Sequence, residues 1–182
     1  MTSIDAEGWI ETVRRIPSPN QDARPEGTEI SLLVIHNISL PPGEYGGDWI
    51  ADLFMNRLDA NVHPYFADIA TLRVSAHVLI RRDGERLQFV PFAARAWHAG
   101  QSCFEGAERC NDFSIGIELE GCDTEPYTDI QYAVLQDLTR ALQRRYPRIR
   151  PDRIVGHCDI APGRKTDPGE AFDWPRFRQG LV

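Results

Sequence analysis

His36 closes a short apolar run, Ser31-Leu32-Leu33-Val34-Ile35, and His157 closes another, Arg153-Ile154-Val155-Gly156. Apolar runs of this length read as buried strands, and the carboxyl ends of strands are where open sheets usually place their sites. Asp167 follows His157 by ten residues, in a loop punctuated by Pro162, Gly163, Pro168 and Gly169. Two neutral imidazoles and one carboxylate suit a catalytic zinc ion, with a fourth position left for water. The same histidines would also serve as hydrogen-bonded structural residues, and spacing alone leaves both readings open. Lys165 stands two residues before Asp167. In an extended segment, i and i+2 project to one side, so the ammonium could stabilise an oxyanion developing beside a metal; a solvated loop lysine is the alternative. Glu118 and Glu120 share one side of an apolar stretch. One of them could be the general base for a metal-bound water, or both could simply face solvent.

Several elements must hold these residues. Residues 113–119 alternate Phe113, Ile115, Ile117 and Leu119 with small or polar residues, which predicts a strand with one face inward. Residues 74–80 and 86–92 predict two strands, with a hairpin signal at Asp83-Gly84 between them. Thr128-Asp129-Ile130-Gln131 is a capping box, and the helix it opens carries Val134, Leu135, Leu138, Ala141, Leu142 and Tyr146 on one stripe before Pro147. Trp9, Ile10, Val13 and Ile16 fall at helical spacing and predict a short helix over residues 7–16, ended by Pro17 and Pro19. Residues 49–58 predict another amphipathic segment, and Asp173 can cap a last helix over 174–181. The pattern is a single α/β domain, a mixed β-sheet flanked by helices.

Composition narrows the functional classes. A chain of 182 residues suits one domain and can bury a core without disulfides. A net charge of -7 disfavours a basic nucleic-acid face. The start, Met1-Thr2-Ser3-Ile4-Asp5-Ala6-Glu7, has neither the basic nor the apolar region of a secretory signal, and no apolar run is long enough to cross a bilayer. A cytoplasmic protein is expected, acting without membrane or nucleic acid. In that compartment Cys103, Cys110, Cys122 and Cys158 should be free thiols. Cys158, next to His157 on a strand, would point to the opposite face and makes a poor fourth ligand.

Five motifs then occur in order: Leu33-Val34-Ile35-His36-Asn37, Ser75-Ala76-His77-Val78-Leu79-Ile80-Arg81-Arg82-Asp83-Gly84, Trp97-His98-Ala99-Gly100, Asn111-Asp112-Phe113-Ser114-Ile115-Gly116-Ile117-Glu118, and Gly156-His157-Cys158-Asp159-Ile160-Ala161-Pro162-Gly163-Arg164-Lys165-Thr166-Asp167-Pro168-Gly169. Together they resemble the type-2 N-acetylmuramoyl-L-alanine amidases over nearly the whole chain, and within them the cytoplasmic branch of cell-wall recycling. The resemblance implies an amidase-2 or peptidoglycan-recognition-like fold. It implies one Zn2+ per chain held by His36, His157 and Asp167, with Glu118 as general base and Lys165 as oxyanion partner. The wider superfamily often has Cys at the position of Asp167 and Tyr at that of Ala76, and this chain departs from that branch at both. The implied reaction is hydrolysis of the amide between anhydro-muramic acid and L-alanine in a small anhydro-muropeptide; the alternatives are an amidase acting on intact peptidoglycan and a non-catalytic wall-sensing module on the same fold. A monomer is expected.

Such a substrate carries peptide carboxylates. Arg73 and Arg109 could clamp them bidentately, or be exposed surface arginines. Trp97 and His98 could wall the groove, and Asn37 could hydrogen-bond the substrate backbone. His77, inside a strand, reads as a core hydrogen-bonding group, and His63 as a loop former.

Overall fold

Leu32, Leu33, Val34 and Ile35 are all fully buried, and the strand they begin is the axis of the molecule. The computed structural model describes residues 1–181. In chain order its elements are β1 (Arg14–Arg15), β2 (Gln21–Asp22), β3 (Leu32–Ile38), α1 (Trp49–Phe54), α2 (Pro64–Ile69), β4 (Val78–Ile80), β5 (Arg86–Gln88), β6 (Arg95–Ala96), β7 (Cys103–Phe104), β8 (Ala107–Glu108), β9 (Ser114–Glu120), α3 (Asp129–Arg145), β10 (Ile154–Gly156), α4 (His157–Ile160) and α5 (Trp174–Gln179). The main sheet has six strands in the order β1-β5-β4-β9-β3-β10. β4, β9, β3 and β10 run parallel, and β5 returns antiparallel to β4 through the Asp83-Gly84 turn. Gly84 there has φ +87, the left-handed region such a turn needs.

The sheet has two differently used faces, set by strand alternation. Leu33, Ile35, Ile115, Ile117, Leu119, Val78 and Ile80 pack with Leu135, Leu138 and Leu142 of α3. α3 starts on the Thr128 capping box, with Gln131 reaching back to the Thr128 N–H. On the other face Leu32 and Val34 pack with Ala99, Cys110 and Ile160, while Leu79 and Leu87 pack beneath α1 and α2. The functional side chains lie on this second face. Residues 113–119, expected to bury one face, are covered on both: every residue of β9 is buried, with the His98 ring lying over Ser114 and Gly116.

Two local expectations fail. Residues 7–16 form no helix. Asp5 Oδ1 accepts from the Trp9 N–H at 2.8 Å, Gln88 Oε1 accepts from the Ile10 N–H at 2.7 Å, and Arg14–Arg15 pairs with β5 as an edge strand. Side-chain and sheet acceptors take the N–H groups a helix would need. The apolar spacing instead seats Ile10 in the core. His157 does not end a strand but opens α4, so the strand argument for Cys158 does not apply. The four cysteines are free thiols, and among the described residues no helix is long and apolar enough to cross a membrane.

Candidate metal centre and cleft

Parallel pairing delivers the key side chains to one place. His36 on β3 lies opposite Glu118 on β9, and Gly156, the residue before His157, lies opposite Ile35. His36 and Glu118 each lie two residues before the last residue of their strands, so β3 runs past the histidine expected to close it, while His157 directly follows β10; the 161–169 loop brings in Asp167. Nδ1 of His36 is 3.0 Å from Nδ1 of His157, and Oδ2 of Asp167 is 3.0 Å from the first and 3.1 Å from the second. The donor atoms of these three residues all lie within 4.8 Å of one another.

The surroundings fit a cation. Nε2 of His157 faces the Ala99 carbonyl at 3.1 Å. A carbonyl only accepts, so Nε2 carries a proton, and it is Nδ1 that the ring turns inward. Nε2 of His36 meets Nδ1 of His98 at 2.9 Å, leaving Nδ1 of His36 facing Asp167. Burial pushes His36 down to about 4, with the Asp167 hydrogen bond opposing it and His157 adding to it. Burial pushes the Asp167 carboxyl up, but the adjoining His157 and His36 rings outweigh it and hold the group below its ordinary value. A neutral His36 beside an ionised Asp167 is the protonation state that a metal ion requires of such ligands.

Glu118 stands at the side of this cluster. It is 9% exposed, and its Oε2 is a buried oxygen with no hydrogen-bond partner. Burial raises its carboxyl well above the ordinary value, Asp167 adds to the rise and Lys165 opposes it. Glu120, two residues on, is different: it accepts from the Gly46 and Arg82 N–H groups at 2.7 and 3.0 Å. That divides the two glutamates, one committed to loop structure and one with a free oxygen.

His36, His157, Asp167 and Glu118 line a cleft of about 660 Å3, within the range of small-molecule sites. Lys165 is exposed at its edge, and Leu53, Phe54, Tyr65, Ile69 and Trp97 supply apolar wall. Other expected binding residues are placed differently. His98 lines the cleft, but it is largely buried and its ring is engaged by His36 and Ser114 Oγ. Asn37 lines the cleft, but its amide N–H groups already reach Asp123 Oδ1 and the Pro168 carbonyl at 2.8 and 3.1 Å, so it holds the Asp167 loop. Arg73 folds back on the Thr71 and Leu72 carbonyls. Arg109 pairs with Asp112 at 3.0 Å beside a neighbouring hollow of about 400 Å3. Neither arginine lines the cleft, because the preceding turn and the adjacent carboxylate capture them. His77 is a core group as expected: its Nδ1 accepts from the Gly116 N–H at 3.0 Å. His63 caps α2 by accepting from Tyr65. The Ala99 carbonyl, Ser114 and Asn111 were not singled out from residue chemistry, since a backbone acceptor and a neutral polar side chain leave no signal in spacing.

Residues 26–170 match the N-acetylmuramoyl-L-alanine amidase family. The chain belongs to this family. The amidase is 64% identical to 1,6-anhydro-N-acetylmuramyl-L-alanine amidase AmpD of Salmonella typhimurium (strain SL1344), over 94% of its own length and 91% of the relative's. The crystal structure of a selenomethionine AmpD derivative superposes on the amidase with a TM-score of 0.96 at 62% identity, covering 99% of each chain. A more distant neighbour is AmiD from E. coli in complex with anhydro-N-acetylmuramic acid-L-Ala-D-gamma-Glu-L-Lys. It shares 29% identity at a TM-score of 0.63, over 98% of the amidase and 65% of the AmiD chain. The amidase is therefore a hydrolase of amide bonds.

Proposed function

We propose that the amidase uses zinc to hydrolyse the amide joining the lactyl group of 1,6-anhydro-N-acetylmuramic acid to L-alanine, in soluble muropeptides released by cell-wall turnover. The observation that carries this reading is the facing set His36 Nδ1, His157 Nδ1 and Asp167 Oδ2, with the unpartnered Glu118 oxygen beside it on one cleft. The names of the similar proteins support the substrate, AmpD by its stated anhydro-muramyl specificity and AmiD by its bound anhydro-muramyl peptide.

Bound zinc supplies a Lewis acid that acidifies water and polarises a carbonyl. His36, His157 and Asp167 would hold it, their outward atoms fixed by His98, Ala99 and the Asn37-anchored loop. Glu118 takes the proton of the attacking water on its free oxygen. Its raised proton affinity suits it to that task and to passing the proton on to the departing alanine nitrogen. Lys165 neutralises negative charge as it develops on the lactyl carbonyl oxygen. The apolar wall of Phe54, Ile69 and Trp97 excludes water from its side of the cleft. We place this activity in the cytoplasm, with a monomer carrying one zinc.

The test is metal analysis together with mass spectrometry of products from a purified anhydro-muropeptide. About one zinc per chain is expected, with anhydro-sugar and a peptide beginning in L-alanine. A protein that takes up no zinc when supplied with excess contradicts the metal reading, and faster release of peptide from intact sacculi contradicts the substrate reading.

A further inference from the structure

We infer that Asn111 is a positioning residue for both histidines of the metal centre, acting through the 98–99 segment of chain. The inference rests on the metal reading given above. Oδ1 of Asn111 accepts two backbone N–H groups at once, from His98 at 3.1 Å and from Ala99 at 2.8 Å. The two residues so clamped are the ones that touch the outer nitrogens of the ligand histidines. The His98 ring meets Nε2 of His36 at 2.9 Å, and the Ala99 carbonyl meets Nε2 of His157 at 3.1 Å. One side-chain oxygen therefore sets the position of both outer partners.

The protons can be followed through the set. Ala99 can only accept, so His157 donates from Nε2 and its Nδ1 is free for metal. For His36 to offer its own Nδ1, its Nε2–H must donate to Nδ1 of His98. His98 then donates from Nε2 to Ser114 Oγ, 3.1 Å away. Every ring nitrogen in the chain has one role, and both ligands present the same nitrogen to Asp167. Outer partners of this kind fix tautomer and ring angle and typically change metal affinity 10–100-fold.

Two further observations show that the segment is built to stay in place. Gly116, opposite the His98 ring on β9, has no room for a side chain: a Cβ there would collide with Cγ and Nδ1 of His98. Its φ is not in the left-handed region, so space for the ring, not backbone freedom, explains a glycine in mid-strand. Asn111 is itself anchored. Arg24, a mostly buried arginine, donates to the Asn111, Asp112, Phe92 and Ser114 carbonyls at 2.8–3.1 Å.

The test compares Asn111→Ala, which removes the shared acceptor, with Asn111→Asp, which keeps an oxygen in its place. Zinc affinity is read by competition with a chromophoric chelator, and imidazole protonation by long-range proton–nitrogen NMR of the zinc-loaded protein. Asn111→Ala should bind zinc about 10–100-fold more weakly and lose the defined Nε2–H signals of His36 and His157. Asn111→Asp should restore most of both. A loop held only for stability would lower the melting temperature of the chelated protein but leave zinc affinity and the imidazole signals unmoved, and that result overturns the inference. Equal loss in both variants also overturns it. If Asn111→Ala does not fold, Asn111→Ser, whose hydroxyl is too short to reach both N–H groups, takes its place: it should weaken zinc roughly 10-fold and disturb the signals of both histidines, and unchanged affinity there overturns the inference. Wild-type protein that binds no zinc overturns the metal reading itself, and so is distinguishable from either result.

Discussion

Glu118→Gln separates the chemistry of the site from its architecture. The substitution keeps the length and nearly the volume of the side chain. Oε2 of Glu118 has no hydrogen-bond partner, so that atom loses no existing bond on becoming an amide. The charge it removes lies in a buried position where desolvation and Asp167 both disfavour it, so the metal-free variant should be at least as stable as the wild type. Catalysis should suffer, because an amide cannot take a proton from water. The usual worth of a positioned general base is about 10²–10⁴ in rate. At about 1.36 kcal/mol per decade that is roughly 2.7–5.4 kcal/mol of barrier. The assay is steady-state turnover of a purified anhydro-muropeptide, with zinc content and thermal melting measured on the same preparation. Full zinc, an unchanged or raised melting temperature and a kcat lower by at least 10² are expected. Near-normal turnover with full zinc would refute Glu118 as the base.

Other perturbations report on separate parts of the structure. His157→Ala removes one of three donors and should abolish most zinc uptake, measured by metal analysis after dialysis. Lys165→Met should lower kcat by about 10²–10³, the usual cost of losing one oxyanion contact, with zinc content preserved. Leu138, fully buried between α3 and the sheet, should cost about 2–5 kcal/mol when cut to Ala, read from urea unfolding. His77 gives a pH signature. Burial and then Arg24 push it down to about 3, against about 6.5 in the unfolded chain. The folded state therefore keeps it neutral, and its contribution is complete above pH 6.5 and is lost as pH falls from there toward 3. His77→Gln should flatten the acid limb of the stability curve by about one proton, and an unchanged slope would contradict the assignment.

The parts of this molecule legible in its sequence are those governed by short-range pattern. The β3 run, the capping box of α3 and the Asp83-Gly84 hairpin each carry their cause within a few residues, and each is found where expected. The convergence of His36, His157 and Asp167 was readable because two of them end apolar runs and the five motifs hold their order. The helix expected over residues 7–16 failed because Asp5 and Gln88, the second far along the chain, compete for its N–H groups. His98 lines the groove as expected, but the seat of its ring depends on Gly116 across the sheet, a packing relation that no local pattern records. Nor does local pattern place the two arginines, which lie outside the cleft lining with Arg109 paired to Asp112 and Arg73 folded on the carbonyls of Thr71 and Leu72.

The most direct test of the central claim is the mass of the products formed from a defined anhydro-muropeptide, with and without zinc restored to chelated protein. Zinc-dependent release of anhydro-N-acetylmuramic acid and an intact peptide beginning in L-alanine is the predicted result. Scission between two amino acids, or cleavage that persists at full rate in metal-free protein, would contradict it.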